Sequence, residues 1–240
     1  MIRRVGLPKH IGIVACSAEG AALCYRTVCL EGAQLLGAFE HPEVSMHTHS
    51  LARYMKCFER DDWAGVGELM LSSAHKLAKA GADFLICPDN TIHQGLPWMI
   101  RRSPLPWLHI AEVVAAQAAE LGFRRLGILG TRYLVDGEVY PEKLSARGLG
   151  YLRPNPAERA EINRIIFEEL VAGVFRPEAV AYFQRVMGRM KDEGVDAVVL
   201  GCTEIPLIMN DANSPLPTLD STRLLARAAL QRAAHRAPQR

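Results

Sequence analysis

Two short stretches of this chain end in residues able to move a proton. GADFLICPDNT (81–91) carries an apolar run into Pro88, Asp89, Asn90 and Thr91. GVDAVVLGCTE (194–204) carries another into Gly201, Cys202, Thr203 and Glu204. Overlaid, Gly81 falls on Gly194, Asp83 on Asp196 and the apolar residues on one another. Asp89 then falls on Cys202, and Asn90 on Thr203. A carboxylate and a thiol at matching positions are an acid–base pair, one able to take a proton while the other gives one. Cys87 first draws the eye as a nucleophile, but it lies two positions before Asp89, inside the end of the apolar run. Free cysteine is commonly buried as a small hydrophobe, so Cys87 reads as strand packing.

A second overlay supports the first. IGIVACS (11–17) matches LGILGTR (126–132), with Gly12 on Gly127, Ala15 on Gly130 and Cys16 on Thr131. Two matches in the same order point to a duplicated unit. The remaining elements agree. Strands are predicted at 11–15, 42–48, 83–87, 107–110, 125–130, 196–201 and 216–220. Helices are predicted at 19–36, 62–81, from 111 to about 121, and at 136–147, 158–172, 177–194 and 221–234. Short apolar strands alternating with helices imply α/β architecture with mainly parallel sheets flanked by helices. The expectation is two similar, pseudo-symmetric lobes, residues 1–105 plus 215–240 and residues 106–214. Ligands of such sheets bind beyond the carboxyl ends of the strands. Two facing halves would then put Asp89 and Cys202 on opposite walls of a cleft, one on each face of a substrate carbon.

The motifs also resemble a known family. GCTEIP (201–206), the NTxH of Asn90 to His93, LGT (129–131) followed by YPEKLSARG, Ser17 and Glu19 after the first strand, and RIIFEELVAG (164–173) are similar to the aspartate/glutamate racemase superfamily over nearly the whole chain. That resemblance implies two α/β lobes, no cofactor, and two cysteines flanking the substrate α-carbon. This chain departs from it at the first of them, where Asp89 stands before Asn-Thr. It also implies a residue for a distal carboxylate: GVFRPEA (173–179) places Arg176 where the family often has Lys, and Arg clamps carboxylates in a planar, bidentate way. At the end of the second strand, Thr48 and Ser50 stand where the family carries Ser and an acidic residue.

Position supplies the other groups. Asn90 and Thr91 open the turn after Asp89, and their amides and short polar side chains can hold a carboxylate. Thr203 does the same after Cys202, and a helix expected to start near Glu204 adds its N-terminal dipole. Ser17 and Thr131 end the paired strands. His93 reads as positioning the turn. His47 and His49, two apart, read as solvated or cleft-lining, with no third metal ligand. Cys24, Cys29 and Cys57 read as packing residues. A reference pKa of about 3.9 for a carboxylate and about 8.5 for a thiol makes Asp89 the resting base and Cys202 the resting acid. Burial would bring the two closer.

Composition excludes several other classes. The net charge is +2 with 22% charged residues, which argues against a nucleic-acid or anionic-membrane partner. No apolar run reaches about 18 residues, so no membrane span or signal peptide is expected. The six cysteines contain no CxxC pair, against a zinc or thioredoxin-like motif, and their scatter fits reduced thiols in a cytoplasm. The leading expectation is a PLP-independent isomerase, a racemase of aspartate, glutamate or a related amino acid, with Asp89 and Cys202 catalytic. Ser17, Thr48, Asn90, Thr91, Thr131, Arg176, Thr203 and Glu204 would bind substrate. No metal or cofactor is expected, the partner is a small-molecule substrate, and a homodimer is the family expectation. Two alternatives stand beside it: a decarboxylase or cis–trans isomerase of a dicarboxylic acid using Cys202 alone, and a non-catalytic dicarboxylate-binding protein.

Overall fold

A computed structural model describes residues 8–234. Among them the chain packs as two compact units. The first takes the described part of Met1–Pro88, Gly95–His109 and the described part of Leu225–Arg240; the second takes Asp89–Gln94 and Ile110–Leu224.

In the first unit, β1 (Ile11–Ala15) leads through α1 (Ala18–Leu36) to β2 (Val44–Thr48), then α2 (Leu51–Phe58), α3 (Trp63–Lys79), β3 (Phe84–Ile86), α4 (Leu96–Met99) and β4 (Trp107–Leu108). The sheet is parallel throughout, in the order β2-β1-β3-β4. β1 and β3 are buried along their whole length, as strands in a sheet covered on both faces must be. Helix starts are capped as their sequences suggest: Ser17 Oγ accepts from the Gly20 N–H, and an Asp62 carboxylate oxygen from the Gly65 N–H.

The second unit begins with α5 (Ile110–Glu120). It continues through β5 (Arg125–Leu129), α6 (Arg132–Val135), α7 (Val139–Ser145), β6 (Gly150–Leu152), α8 (Pro156–Arg164), α9 (Pro177–Asp192), β7 (Ala197–Leu200), β8 (Thr218–Asp220) and the start of α10 (Ser221–Ala234). Its parallel sheet has the order β6-β5-β7-β8. Each sheet therefore has its first strand between its second and third. The register repeats as well. Ile11 pairs with Phe84 in one sheet, and their sequence equivalents Leu126 and Ala197 pair in the other.

The matching aspartates explain part of that repetition. Asp83 Oδ2 accepts from the His10 N–H at 2.7 Å, and Asp196 Oδ2 from the Arg124 and Arg125 N–H groups at 2.6 and 3.0 Å. Each aspartate ties the start of its own strand to the segment entering the neighbouring one. The matching glycines end α3 and α9: Gly81 at φ +92° and Gly194 at φ +83° occupy backbone conformations that side chains disfavour.

Several elements differ from the sequence expectation. α2 is an additional helix; two turns with only Tyr54 and Phe58 buried give too short a periodic pattern to read. β6 is an additional three-residue edge strand, with Gly150 exposed and Tyr151 and Leu152 partly buried. The helix predicted at 136–147 is the shorter α7, and α6 is an additional turn before it, the two separated around Gly137. The one predicted at 158–172 starts earlier, where Asn155 and Glu158 form a reciprocal capping box. After Arg164 it widens into a π-helical turn, Ile165–Glu169, then tightens into a 3₁₀ turn, Leu170–Ala172. The wide turn brings positions five apart onto one face, and Arg164 Nη2 donates to Glu169 Oε1 at 2.9 Å. Residues 91–102, between β3 and β4, are helical rather than irregular. No helix among the described residues is long and apolar enough to cross a membrane.

Candidate active site

Asp89, Asn90, Thr91, Thr131, Cys202, Thr203 and Glu204 all belong to the second unit. Cys202 follows β7, and the turn before it needs glycine. A Cβ on Gly201 would lie 2.6 Å from Leu134 Cδ2 and 2.7 Å from the Leu129 carbonyl oxygen. The Gly201 N–H donates to that same Leu129 oxygen at 2.8 Å, carrying the ladder one residue past β7. Cys202 is then released at the surface, partly buried.

Its thiol faces a carboxylate. Cys202 Sγ donates to Glu204 Oε2 at 2.9 Å, and Thr203 Oγ1 donates to the same oxygen at 2.9 Å. Glu204 is 6% exposed, so this charge sits in poorly solvated surroundings. Desolvation first, then the charge of Glu204 and its acceptance of the S–H, push the thiol pKa well up. The Glu204 backbone N–H works against them, and the Asp89 charge adds to the rise. Replacing Glu204 by Gln removes one negative charge and a strong acceptor. The pH profile for alkylation of Cys202 by iodoacetamide, followed on its peptide by mass spectrometry, is therefore expected to move to lower pH.

The helix expected near Glu204 is one 3₁₀ turn, Ile205–Leu207. A single turn carries little macrodipole, so the local electrostatics at Cys202 come from Glu204 and Asp89 rather than from a helix end.

The turn holding Asp89 is fastened at several points. His93 is 2% exposed; the Ile110 N–H donates to its Nε2 at 3.4 Å, leaving Nδ1 as the protonated nitrogen, which donates to the Asp89 carbonyl at 2.9 Å. Gln94 Nε2 donates to the Tyr133 carbonyl at 2.8 Å. Thr91 Oγ1 and Thr131 Oγ1 are 3.3 Å apart. Asn90 is 3% exposed, with its carboxamide engaged at both ends, accepting from Tyr140 Oη at 2.7 Å and donating to Ser221 Oγ at 2.9 Å. Tyr140 opens the YPEKLSARG motif, but neither it nor Ser221 is assigned a site role by the sequence. Asp89, Thr91 and Cys202 remain partly exposed within this buried setting, while Cys87 is wholly buried.

Arg176 also belongs to the second unit, as the residue preceding α9. It is 62% exposed, with Nε 3.9 Å from Glu169 Oε2. Ser17 and Thr48 belong to the first unit. There Ser17 caps α1 and Thr48 Oγ1 donates to the His49 carbonyl at 2.9 Å. His47 and His49 are built into a network of that unit. His47 Nδ1 meets Ser73 Oγ at 2.9 Å and its Nε2 meets Lys76 Nζ at 2.9 Å, while His49 Nε2 and Nδ1 meet Ser72 and Arg53 at 3.3 and 3.1 Å. Among the described residues no group of three or more His, Cys, Asp or Glu could hold a metal ion.

Comparison with known proteins gives this site its context. The profile of the family described as Asp/Glu/Hydantoin racemase matches residues 20–229. The broad specificity amino-acid racemase RacX of Bacillus subtilis is 23% identical over 162 residues, 66% of this chain and 68% of RacX. Among solved structures, a candidate Asp/Glu racemase from Yersinia pestis superposes with a TM-score of 0.87 at 28% identity, covering 95% of this chain and 100% of that one. An aspartate racemase homologue from Pyrococcus horikoshii OT3 superposes with a TM-score of 0.82 at 26% identity, with the same coverage of each chain.

Proposed function

This chain belongs to the Asp/Glu/Hydantoin racemase family, making it an isomerase, and from that premise we propose that it racemises aspartate, glutamate or a related amino acid without a cofactor, using Asp89 and Cys202 as the acid–base pair. The observation that carries this reading is the Cys202 S–H held on the Glu204 carboxylate just past the end of β7, in the same unit as Asp89.

In one direction the Asp89 carboxylate removes the α-proton, the electron pair passes into the substrate carboxylate as enolate character, and the Cys202 S–H delivers a proton to the opposite face of Cα. The products are the inverted amino acid, a protonated Asp89 and a Cys202 thiolate. Turnover of the other enantiomer runs these steps backwards and restores the pair. Glu204 Oε2 already accepts the S–H, so it can also take the thiol proton when Cys202 is to act as the base. The raised thiol pKa suits Cys202 as the resting acid, since the proton to be delivered is held in place at neutral pH.

Enolate formation needs donors aimed at the substrate carboxylate. Thr91 and Thr131, whose hydroxyls lie in the same unit, are assigned this role together with the backbone amides of both turns; the Thr203 hydroxyl is committed to Glu204 Oε2, so Thr203 contributes its backbone amide. Arg176 is assigned a distal carboxylate, supported by its exposed guanidinium and by its engagement with Glu169 at no closer than 3.9 Å.

The test is incubation with single enantiomers in heavy water. Deuterium should enter Cα with inversion, and each reaction should end at equal amounts of both enantiomers, because they have equal free energies. Turnover of maleate or an arylmalonate, with no α-proton exchange on any amino acid, would replace racemisation by cis–trans isomerisation or decarboxylation.

A further inference from the structure

We infer that Tyr140, Asn90 and Ser221 form a one-way hydrogen-bond chain that sets the position of Asp89 relative to Cys202, so that Tyr140 and Ser221 are positioning residues of the proposed racemase site. The inference rests on the acid–base pair proposed above.

The direction of the chain follows from its far end. Ser221 Oγ lies 2.9 Å from the Leu200 carbonyl oxygen, which has lone pairs and no hydrogen, so the serine must donate to it. With its one hydrogen committed, Ser221 Oγ can only accept from Asn90, which fixes the amide nitrogen of Asn90 on the serine side at 2.9 Å. The amide oxygen then faces Tyr140, whose hydroxyl must be the donor at 2.7 Å. A flipped Asn90 would take the Ser221 hydrogen and leave the Leu200 oxygen without its donor. All three side chains are buried: Tyr140 is 1% exposed, Asn90 3% and Ser221 0%. Burial also pushes the Tyr140 phenol pKa far up, against a smaller lowering by Ser221, so it is a donor at neutral pH.

The ends of this chain give it its role. Asn90 is the residue after Asp89. Leu200 is the last residue of β7, two before Cys202. The hydrogen bonds therefore run from the neighbour of one reacting group to the strand that carries the other, bridging sequence separations of 131 residues from Asn90 to Ser221 and 50 from Tyr140 to Asn90. Nothing covalent nearby links the two turns. An acid and a base must sit on opposite faces of one carbon, and a misplacement of about 1 Å can cost about 10²-fold in rate.

Tyr140→Phe and Ser221→Ala each remove one hydroxyl and leave the rest of the side chain. In both variants inversion is expected to slow by roughly 10- to 100-fold with KM little changed, since neither residue is placed on the substrate. Solvent exchange should divide by enantiomer. The one whose α-hydrogen faces Cys202 should continue to exchange deuterium with retention, while the one facing Asp89 should lose exchange together with inversion. A merely structural role would depress both equally. A second measurement needs no turnover: with Asp89 displaced, the alkylation profile of Cys202 should move to lower pH in both variants. Wild-type inversion rates together with an unmoved alkylation profile would overturn the inference. If the unsubstituted enzyme exchanges no α-proton on any amino acid, the racemase reading fails by itself. The alkylation profile then still decides whether the chain positions Asp89.

Discussion

Cys202→Ala and Asp89→Asn are each expected to reduce inversion at Cα by roughly 10²–10⁴-fold, the range a positioned proton-transfer group supplies. Asp89→Asn is isosteric, and Cys202→Ala deletes only the sulfur. Asp89 is partly exposed, and Cys202 is partly buried at the end of β7, so neither change opens a large void. The melting temperatures of both variants should stay near that of the parent. Each variant removes one partner, and inversion needs both, one to take the proton and one to return it on the other face. The double variant should therefore be little slower than either single one, because groups that act as a unit are not additive. The two losses should differ in kind. Cys202→Ala retains a base on the Asp89 side only, and Asp89→Asn on the Cys202 side only, so each should keep slow deuterium exchange with one enantiomer and lose it with the other. Equal rates in parent and variants, measured by polarimetry and by proton NMR in heavy water, would remove both residues from the mechanism.

The largest stability effect is expected from Phe183→Ala, at about 3–5 kcal/mol. Phe183 is 0% exposed in α9. It packs with Val186, Met187 and Met190 of the same helix in one cluster with Leu129, Val198 and Leu200 of the sheet. Truncation deletes a ring from a site closed on all sides, so the loss combines transfer free energy with a cavity that the surrounding strands cannot collapse to fill. For a chain of this size each kcal/mol corresponds to roughly 2–4 °C, so thermal unfolding should shift down by on the order of 10 °C. Phe39→Ala is the contrasting control: Phe39 is 99% exposed and its loss should fall within about 0.5 kcal/mol of zero. Because Leu200 shares the cluster and Cys202 follows it, the Phe183 variant should also show a broadened alkylation profile for Cys202, while Phe39→Ala should not.

Much of this architecture was legible without coordinates. Apolar runs such as Ile11–Ala15 and the LGIL within β5 announce buried strands through composition alone. The overlay of 81–91 on 194–204 preserved strand register, the Asp83/Asp196 ties and the glycine stops. Such features are local: a strand, its cap and its turn are specified by residues a few positions apart. The same overlay selected Asp89 over Cys87, because alternation along a strand and the start of a turn are also local properties.

Other features were decided only by tertiary structure. The packing of Asp89–Gln94 with the second unit depends on Asn90 meeting Tyr140 and Ser221, residues far away in the chain that no short motif connects. The place of Asn90 in the turn suggests a group that holds a substrate carboxylate; that its carboxamide has Tyr140 on one side and Ser221 on the other is a fact that only the folded chain holds. Elements too short for periodicity, α2 and β6, were likewise invisible until packing stabilised them. The position of the Glu204 carboxylate against the Cys202 thiol depends on a single 3₁₀ turn where a longer helix was expected. The sequence by itself determined which residue types stand at the two strand ends. The long-range hydrogen bonds determined where those residues point, because side-chain geometry in a buried network depends on every partner being in place at once.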